Sequence, residues 1–525
     1  MATYTRNNAW NNDGTFDNPD LLWYAKGVGV MQSRALDDPN SWWFFAAIHG
    51  EYVDPNTPWY TTPPAFPDWG FIPGPPQVPT TPLPSQNLID LYWDQCQHQS
   101  WYFTPWHRGY LLALEAQVRE AVVSLGGPSE WALPYWNYFG PNNEYEIPPA
   151  FTEKTLPDGT TPNPLYVEAR YGPRNNFDIF VPIPPVAETC EGNTIYTGSN
   201  AVTPAPGFGG PDTGFSHSGD TSGNLESNPH NLVHVYVGGN APNNDTWGLM
   251  SDPGIAALDP VFYLHHSNID RMWAAWNDLG NDNPNESSWL NGPAASGERE
   301  FVMPMPGGSP WVYTPGDVNS LSQLDYTYDD LTVTVAPQPS SRIARRLTKL
   351  GGARAAAKQA PASKGAQGGS MDSADNAELV GAHDGALQIK SSGARATVRL
   401  DSNARRKVSR SLARASETSL PDHVYLKLEN VRGTRDSFVL NVSVNQQRAG
   451  SVALFGLRRA TAKDGQHGGS GLTYVLDITN VIDNLFVENG LDTDSLDVRI
   501  VPNNAVPDSE EITVGRVSVY RQGQE

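Results

Sequence analysis

The stretch that decides the fold is Asp259-Pro260-Val261-Phe262-Tyr263-Leu264-His265-His266-Ser267-Asn268-Ile269-Asp270-Arg271-Met272-Trp273. Its apolar residues recur at helical spacing, so the stretch predicts an amphipathic helix that carries two histidines. Adjacent side chains on a helix diverge by about 100°. His265 and His266 are therefore not expected to bind the same metal ion. One of the two is expected to pack or to form a hydrogen bond nearby.

Five further histidines extend this into two sets. Upstream, Asn228-Pro229-His230-Asn231-Leu232-Val233-His234 places two imidazoles one helical turn apart on one face, with Pro229 suited to the first turn. His49, His98 and His107 form the other set. Imidazole suits copper, zinc, iron and nickel, and two sets of three predict two metal ions. A zinc hydrolase is disfavoured, because such sites usually include Asp, Glu or Cys and no H-E-x-x-H helix is present.

The quoted motifs identify a family when they are joined to two more stretches. These are Trp43-Phe44-Phe45-Ala46-Ala47-Ile48-His49-Gly50, and Cys96-Gln97-His98 followed by Pro105-Trp106-His107-Arg108. Together they resemble the tyrosinase and polyphenol oxidase family of binuclear copper proteins, over most of residues 20–335. The resemblance implies two copper ions per chain. It assigns the first copper to His49, His98 and His107, and the second to His230, His234 and His266. It also implies that Phe262 packs beside the ligands and that Asp270 and Arg271 support the second site.

Three other residues acquire roles from the same resemblance. Cys96 is expected to form a thioether with the ring of His98, the alternative being a buried thiol; the other cysteine, Cys190, is expected to be structural. Glu226 and Asn231 are expected to orient a water that deprotonates monophenols. The alternatives are that Glu226 is a charge near a helix N-terminus and that Asn231 lies on a helix surface.

The implied activity is the oxidation of phenols by O2. Monophenols would be hydroxylated at the ortho position, and o-diphenols would be oxidised to o-quinones. Two alternatives stay open: a catechol or o-aminophenol oxidase without the hydroxylation step, and a haemocyanin-like O2 carrier. Pro253 stands where plant members often have a bulky aromatic residue, which predicts a more open entrance.

The length of the chain indicates how many domains it has, and its charge limits which partners it can bind. A chain of 525 residues predicts two domains. Residues 341–420 hold 15 Lys and Arg against 6 Asp and Glu, a net of +9, whereas the chain carries −22, which leaves −31 elsewhere. This acidity argues against nucleic-acid or anionic-membrane partners. No apolar run approaches the roughly 20 residues that span a bilayer, and no signal peptide is seen, so a cytoplasmic location is expected.

The domain prediction is a mainly α-helical copper domain over residues 1–340, a basic flexible linker over 341–376, and a C-terminal antiparallel β-sandwich over 377–525. The copper site is expected inside a helix bundle. Seven runs of alternating apolar and polar residues predict the sandwich strands. They begin at Ala386, Ala396, His423, Phe438, Tyr474, Leu496 and Ile512.

The C-terminal sequence also resembles the last domain of plant polyphenol oxidases, and Tyr326-Thr327-Tyr328 resembles the tyrosine pair that closes their catalytic domain. The resemblance implies that this domain shields the copper site and inserts a side chain where substrate would sit. The loop from Ala449 to Gly456, with Leu454 and Phe455, is the candidate plug. The alternative is a domain that only stabilises the protein or mediates oligomerisation.

Overall fold

The computed structural model describes most of the chain as two domains. The described residues are 4–50, 72, 74–79, 81–93, 95–198, 205–214, 219–242, 246–333, 343–351, 377–416, 419–462 and 469–523. Within these ranges no helix combines the length and the apolar character needed to cross a membrane.

The N-terminal domain is mainly helical, as the sequence predicted. Its helices are α1 Pro19–Gln32, α2 Trp42–His49, α3 Gln86–Tyr92, α4 Phe103–Ser124, α5 Leu232–Gly238, α6 Val261–Asp278, α7 Ser287–Leu290 and α8 Pro315–Val318. A π-helical turn, Glu226–Asn231, leads directly into α5. Its strands are β1 Tyr4–Arg6, β2 Phe301–Pro304, β3 Pro310–Tyr313 and β4 Tyr326–Tyr328. β1 pairs in parallel with β4, and β2 pairs with β3 in an antiparallel hairpin.

Helix α4 shows why this half of the chain is helical. A line of large apolar side chains repeats every four residues and is fully buried. The line consists of Trp106, Tyr110, Leu114, Val118 and Val122. Burying a side chain of this size contributes about 1.5–3 kcal/mol, so tertiary packing of this face stabilises the helix.

Helix α6 differs from its prediction as an amphipathic helix. Every side chain from Val261 to Trp276 is buried, so this helix passes through the centre of the domain. Its polar residues face other buried polar groups rather than water. The polar half of the pattern therefore marks the site and its supports, not a solvated surface.

The C-terminal domain is built on one antiparallel sheet. Its strands are β5 Glu378–His383, β6 Leu387–Gln388, β7 Ala394–Leu400, β8 His423–Gly433, β9 Val439–Val444, β10 Gln447–Ala453, β11 Leu472–Asp477, β12 Ser495–Pro502 and β13 Ile512–Gln522. The strand order is β10-β9-β12-β7-β5-β13-β8-β11, with β6 paired to β13. The predicted antiparallel β domain is confirmed. Its strands form one continuous sheet that curls almost into a barrel.

Helices also cover this sheet, and one of them lies in the range that was predicted to be a flexible linker. They are α9 at residues 343–351, α10 Ser402–Arg414, α11 Leu457–Thr461 and α12 Thr479–Asn489. The range 341–376 was predicted to be flexible, but α9 buries Leu350 in the C-terminal core, and Arg346 pairs with Asp483 at 2.8 Å. These contacts attach the start of the range to the C-terminal domain. Residues 352–376 lie outside the described residues.

The two domains are in direct contact beside α5. Val439, Ala453 and Phe455 of the C-terminal domain pack into the hydrophobic core of the N-terminal domain. Arg458 pairs with buried Asp252 at 2.7 Å. The backbone N–H of Thr473 donates to the carbonyl oxygen of Asp220 at 2.7 Å. This docked arrangement places the start of α11 next to the histidine clusters.

Candidate metal centre

Four helices and one loop bring the histidines together. His49 is the last residue of α2, His107 lies in the second turn of α4, and His98 lies in the loop before α4. His230 and His234 lie on the π-helical turn and α5, and the pair His265-His266 lies on α6. All seven side chains are buried. The predicted placement of the metal site inside a helix bundle is confirmed by this geometry.

The second set has the spacing of three ligands on one ion. The Nε2 atom of His266 lies 3.2 Å from Nε2 of His230 and 3.2 Å from Nε2 of His234. Nitrogen ligands about 2.0–2.1 Å from a shared metal are about 3.3–3.5 Å apart, so the three atoms already surround a metal position. The opposite ring nitrogens are held in place: Nδ1 of His234 contacts the carbonyl oxygen of Met250 at 2.8 Å, and Nδ1 of His230 contacts Oδ1 of Asn231 at 2.8 Å. These contacts direct both Nε2 atoms inward.

The first set is supported in the same way. Nδ1 of His49 contacts the carbonyl oxygen of Pro253 at 3.0 Å, and Nδ1 of His107 contacts that of Phe103 at 2.8 Å. The ring centroids of His49, His98 and His107 lie 5.3–5.6 Å apart. The first set can therefore bind a metal ion of its own. Pro253, predicted only to open the entrance, also supports a ligand through its carbonyl group.

The two sets face each other. The rings of His107 and His266 stack with centroids 4.6 Å apart, and His98 lies 5.7 Å from His230. Ligand atoms of His49, Cys96, His98 and His107 form one compact group, and those of His230, His234, His265 and His266 form another. The bundle thus holds two adjacent metal positions, with one set of imidazoles on each side.

Burial keeps these imidazoles in the form that binds metals. It lowers the pKa of His107, His230, His234 and His266 well below the usual value, and the neighbouring histidines add to the effect. The rings are therefore neutral near pH 7, with a lone pair available to a cation. Nitrogen donors with one nearby sulfur fit copper and do not fit magnesium or calcium.

His265 is the member of the adjacent pair that the geometry sets apart. Its ring stacks against that of His230, with centroids 5.3 Å apart, and lies 5.8 Å from the ring of Tyr138. His266 instead lies between the two sets and against Phe262, at a centroid distance of 4.1 Å. The contacts favour His266 as the ligand and His265 as a packing residue. The same contacts place the ring of Phe262 beside His266 and His49.

Cys96 lies at the first set. Its Sγ atom is 3.6 Å from Nδ1 of His98 and 3.7 Å from Nε2 of His107. The sulfur is therefore in non-bonded contact with both rings. Cys190 is buried away from this group, and burial, followed by the charges of Glu191 and Glu188, raises its pKa. Both the burial and the raised pKa disfavour the thiolate, which is the reactive form of cysteine.

Asp270 supports the site through a network of ion pairs and hydrogen bonds. The Asp270 carboxylate accepts hydrogen bonds from Nε of Arg108 at 2.5 Å and Nη1 of Arg6 at 3.2 Å. It also accepts from the hydroxyls of Tyr326 and Tyr328, at 2.5 and 2.6 Å. Burial alone would raise the pKa of Asp270, but Arg108 and Arg6 hold it below the usual value. The network therefore ties β1, α4, α6 and β4 together through one ionised carboxylate.

Arg271 does not join the Asp270 network. Its Nε donates to Oδ1 of Asn268 at 2.9 Å, and its Nη1 donates to the carbonyl oxygens of Asp330 and Thr332 at 3.3 and 3.4 Å. The prediction that Arg271 supports the second site thus becomes more specific. Arg271 connects the residues that follow β4 to helix α6, which carries His266.

Glu226 and Asn231 lie close to the second set but do different things. The Glu226 carboxylate accepts the backbone N–H of Gln99 at 2.9 and 3.0 Å. Burial raises its pKa to about 8, and hydrogen bonds from Gln99, Ser222 and Gly223 oppose part of that rise. Asn231 accepts from His230 and donates its amide Nδ2 to Oγ of Ser222 at 3.4 Å. Both side chains are buried, so Asn231 is not a helix-surface residue. Glu226 does lie in the first turn of the π-helical segment, as its alternative had it, but it is buried there.

Phe455 covers the histidines from the C-terminal domain. Its ring stacks on that of His234 with centroids 4.3 Å apart, and it stands edge-on to His98 and His230 at 5.8 Å. The predicted loop from Ala449 to Gly456 is in fact the end of β10 followed by a turn. In that turn Gly456 adopts a φ of +82°, a left-handed value that favours glycine. Leu454 points into the C-terminal core, which leaves Phe455 as the covering side chain.

Several supporting residues were not predicted from the sequence. Arg6 and Arg108 neutralise Asp270, and the backbone N–H of Gln99 binds Glu226. Arg108 and Gln99 each directly follow a proposed ligand histidine, and that position was the one available signal. Arg6 lies 264 residues from Asp270 along the chain, so spacing carries no information about this pair.

The fold and the site together define a protein that holds two adjacent metal ions with six buried imidazoles. A family model described as the common central domain of tyrosinase matches residues 39–279, and one described as a domain of unknown function matches residues 376–522. Tyrosinase HcTyr1 of Hahella sp. (strain CCB-MM4) is 31% identical over 516 residues, covering 96% of this chain and 97% of that protein.

Plant proteins match more distantly. Polyphenol oxidase A1 of Vicia faba is 27% identical over 352 residues, 64% of this chain and 49% of the relative. Latent apple tyrosinase has a TM-score of 0.54 at 20% identity, covering 100% of this chain and 98% of that one. Recombinantly expressed latent aurone synthase has a TM-score of 0.56 at 20% identity, covering 100% and 91%. The two solved structures, which match over nearly their whole length, show a shared fold.

The chain belongs to the tyrosinase family, whose members are binuclear copper oxidoreductases that use O2 and phenolic substrates. The two sets of histidines are therefore a site for two copper ions.

Proposed function

We propose that this protein is a tyrosinase that hydroxylates monophenols at the ortho position and oxidises o-diphenols to o-quinones. The observation that carries the proposal is a buried carboxyl, Glu226, on the same π-helical turn as His230. Burial raises its pKa to about 8. Bound copper supplies the redox chemistry with O2. What distinguishes monophenol from diphenol oxidation on the protein side is the removal of a proton from a weakly acidic phenol.

The residues around Glu226 suit that proton transfer. A phenol has a solution pKa near 10, so its ionisation near neutral pH needs a base within hydrogen-bond reach, directly or through one water. A carboxyl with a pKa of about 8 is better matched to this task than one with the usual value near 4.5. Asn231 fixes the ring of His230 through its Oδ1 atom, so the base and the second metal position keep a constant relation.

We also propose that Phe455 keeps the enzyme latent. Its ring occupies the space over His234, His98 and His230 that a flat aromatic substrate would need. The Arg458–Asp252 ion pair beside it is largely buried, with both side chains at most 10% exposed. The C-terminal domain is attached to the same chain, so it is present at high effective concentration even when its own affinity is modest.

The last part of the proposal is the thioether between Cys96 and His98. It is supported by the sulfur lying 3.6 Å from the ring nitrogen. A covalent link would fix the otherwise loop-borne His98 more firmly than hydrogen bonds do. This matters because His98 is the one proposed ligand outside a helix.

Oxygen uptake with a monophenol and with the matching diphenol tests the function. After removal of the C-terminal domain by limited proteolysis, we expect sustained turnover of both substrates and a larger loss of monophenol turnover in Asn231→Leu. Diphenol turnover alone would instead identify a catechol oxidase. Reversible O2 binding without quinone formation would identify an oxygen carrier.

A further inference from the structure

One short segment supports an imidazole of each histidine set. The carbonyl oxygen of Met250 contacts Nδ1 of His234 at 2.8 Å, and the carbonyl oxygen of Pro253 contacts Nδ1 of His49 at 3.0 Å. The two carbonyl groups are three positions apart in the chain. Residues 250–254, which we call the shared support, therefore fix the direction of one ligand at each metal position.

Asp252 holds the shared support in its conformation. Its side chain is fully buried. Oδ1 accepts the backbone N–H of Gly254 at 2.9 Å, and Oδ2 accepts Nε1 of Trp247 at 3.0 Å. The backbone carbonyl oxygen of Asp252 accepts the N–H of Ala256 at 2.8 Å. One residue thus closes the turn that presents the carbonyl group of Pro253.

The shared support is also packed tightly against the chain beside both ligands. A Cβ atom at Gly50, the residue after the first-set ligand, would lie 1.9 Å from the carbonyl oxygen of Gly254. The hydroxyl of Ser251 lies 3.4 Å from the carbonyl oxygen of Val235, the residue after the second-set ligand. A change in the conformation of this segment therefore reaches both histidine sets.

A further bond to the Asp252 side chain comes from the other domain. Nη2 of Arg458 donates to Oδ2 of Asp252 at 2.7 Å. The backbone N–H of Arg458 donates to Oδ1 of Asp436 at 2.8 Å, which fixes the start of the arginine side chain. Loss of the arginine would leave a buried carboxylate without this cation, a costly arrangement. Docking of the C-terminal domain thus completes the bonding of the residue that holds the shared support.

We propose that Asp252 is a positioning residue for both copper ions, and that Arg458 of the docked C-terminal domain acts through it to strengthen copper binding. The domain then has a second role besides covering the histidines with Phe455, because it helps the N-terminal domain to keep its metal. The inference rests on the two-copper site and not on the substrate preference. Failure of the proposed monophenol hydroxylation would leave it intact.

Competition for copper between the protein and EDTA tests the proposal without any substrate. The full-length chain is loaded with copper, and the metal that stays on the protein is measured at equilibrium. Asp252→Asn keeps one oxygen for the Gly254 N–H but turns an amide nitrogen towards Arg458. We expect it to weaken the binding of both coppers by about 10- to 100-fold, the usual effect of changing a group that supports a metal-bound histidine. Unchanged binding, or weaker binding of one copper alone, would overturn the shared role.

Arg458→Leu tests the part played by the C-terminal domain and leaves the shared support itself unchanged. We expect copper binding to weaken about tenfold. Arg346→Leu is the matched control, because Arg346 also pairs with a fully buried aspartate, Asp483, but away from the shared support. The control should bind copper as the wild-type protein does. An unchanged affinity in Arg458→Leu, or an equal loss in Arg346→Leu, would overturn the proposal.

A combined variant separates an effect through Asp252 from a simple loss of docking. If Arg458 acts through Asp252, Arg458→Leu should weaken copper binding no further in a protein that already carries Asp252→Asn. Phe455→Ala removes the covering ring and leaves Asp252 unchanged, so its effect on copper binding should add to that of Asp252→Asn. Additive losses for Arg458→Leu and Asp252→Asn would overturn the proposal.

Discussion

Replacing Phe455 by alanine in the uncut chain should activate the enzyme. Phe455 is 1% exposed, and its ring is the part of the C-terminal domain that contacts three of the six proposed ligands. Removing a fully buried phenylalanine typically costs about 3–5 kcal/mol. Because this ring packs into the core of the N-terminal domain, much of that cost falls on docking between the domains rather than on folding of the sheet.

The expected size of the effect follows from that division. If about 2 kcal/mol appears as weaker docking, the undocked population rises roughly thirtyfold. The space left by the ring adds to this, because a small catechol can then reach the histidines even in the docked state. We therefore expect catechol turnover by the uncut chain to increase at least about tenfold.

The assay is the initial rate of O2 uptake with catechol, with copper content and chain length measured on the same sample. Leu428→Ala is the matched control. Leu428 is fully buried in the C-terminal core and touches no proposed ligand, yet its truncation also costs about 2–5 kcal/mol. The reasoning is refuted if Phe455→Ala keeps its copper and its full length but gains no activity, or if Leu428→Ala gains as much.

Three further outcomes are expected. Glu226→Gln should lower monophenol turnover by roughly 10²- to 10⁴-fold and diphenol turnover far less. Burial raises the pKa of Glu226 to about 8, so the ratio of monophenol to diphenol turnover by the wild-type enzyme after limited proteolysis should rise as pH increases through that value. A ratio that does not change with pH would contradict a role of Glu226 as a base. Copper-loaded protein should weigh about 2 Da less than its sequence mass, because the bond from Cys96 to His98 removes two hydrogens; full mass with an alkylatable Cys96 would exclude the bond. Asp270→Asn should destabilise the copper-free protein by about 3–5 kcal/mol, because it leaves the buried Arg6 and Arg108 poorly paired. Calorimetry should show this as a lower Tm, whereas Asp278→Asn, at the exposed end of the same helix, should change the Tm little.

The sequence predicted the metal centre well because its ligands lie in short, regular motifs. His230 and His234 four residues apart, and the fixed pair on α6, are visible in one dimension and become neighbours once the helices form. The seven alternating runs of the C-terminal domain likewise each contain a strand, because alternation reports directly on a sheet with one buried face.

The missed features depend on contacts between distant segments. Arg6 and Asp270 are 264 residues apart, so nothing local marks them as an ion pair. Residues 449–453 were predicted to belong to a loop, but they pair with β9 as part of strand β10. The Ala449-Gly450-Ser451 stretch has low β propensity, so pairing rather than local sequence makes it a strand. Helix α9 was assigned to the linker for its basic composition, but Leu350 packs it against the C-terminal core.

The central claim is that six imidazoles hold two copper ions, and metal analysis of the copper-loaded chain tests it most directly. We predict two coppers per chain, and one copper in His234→Gln, since the first set is independent of that residue. A single copper in the wild-type protein, or two zinc ions retained after copper loading, would contradict the account.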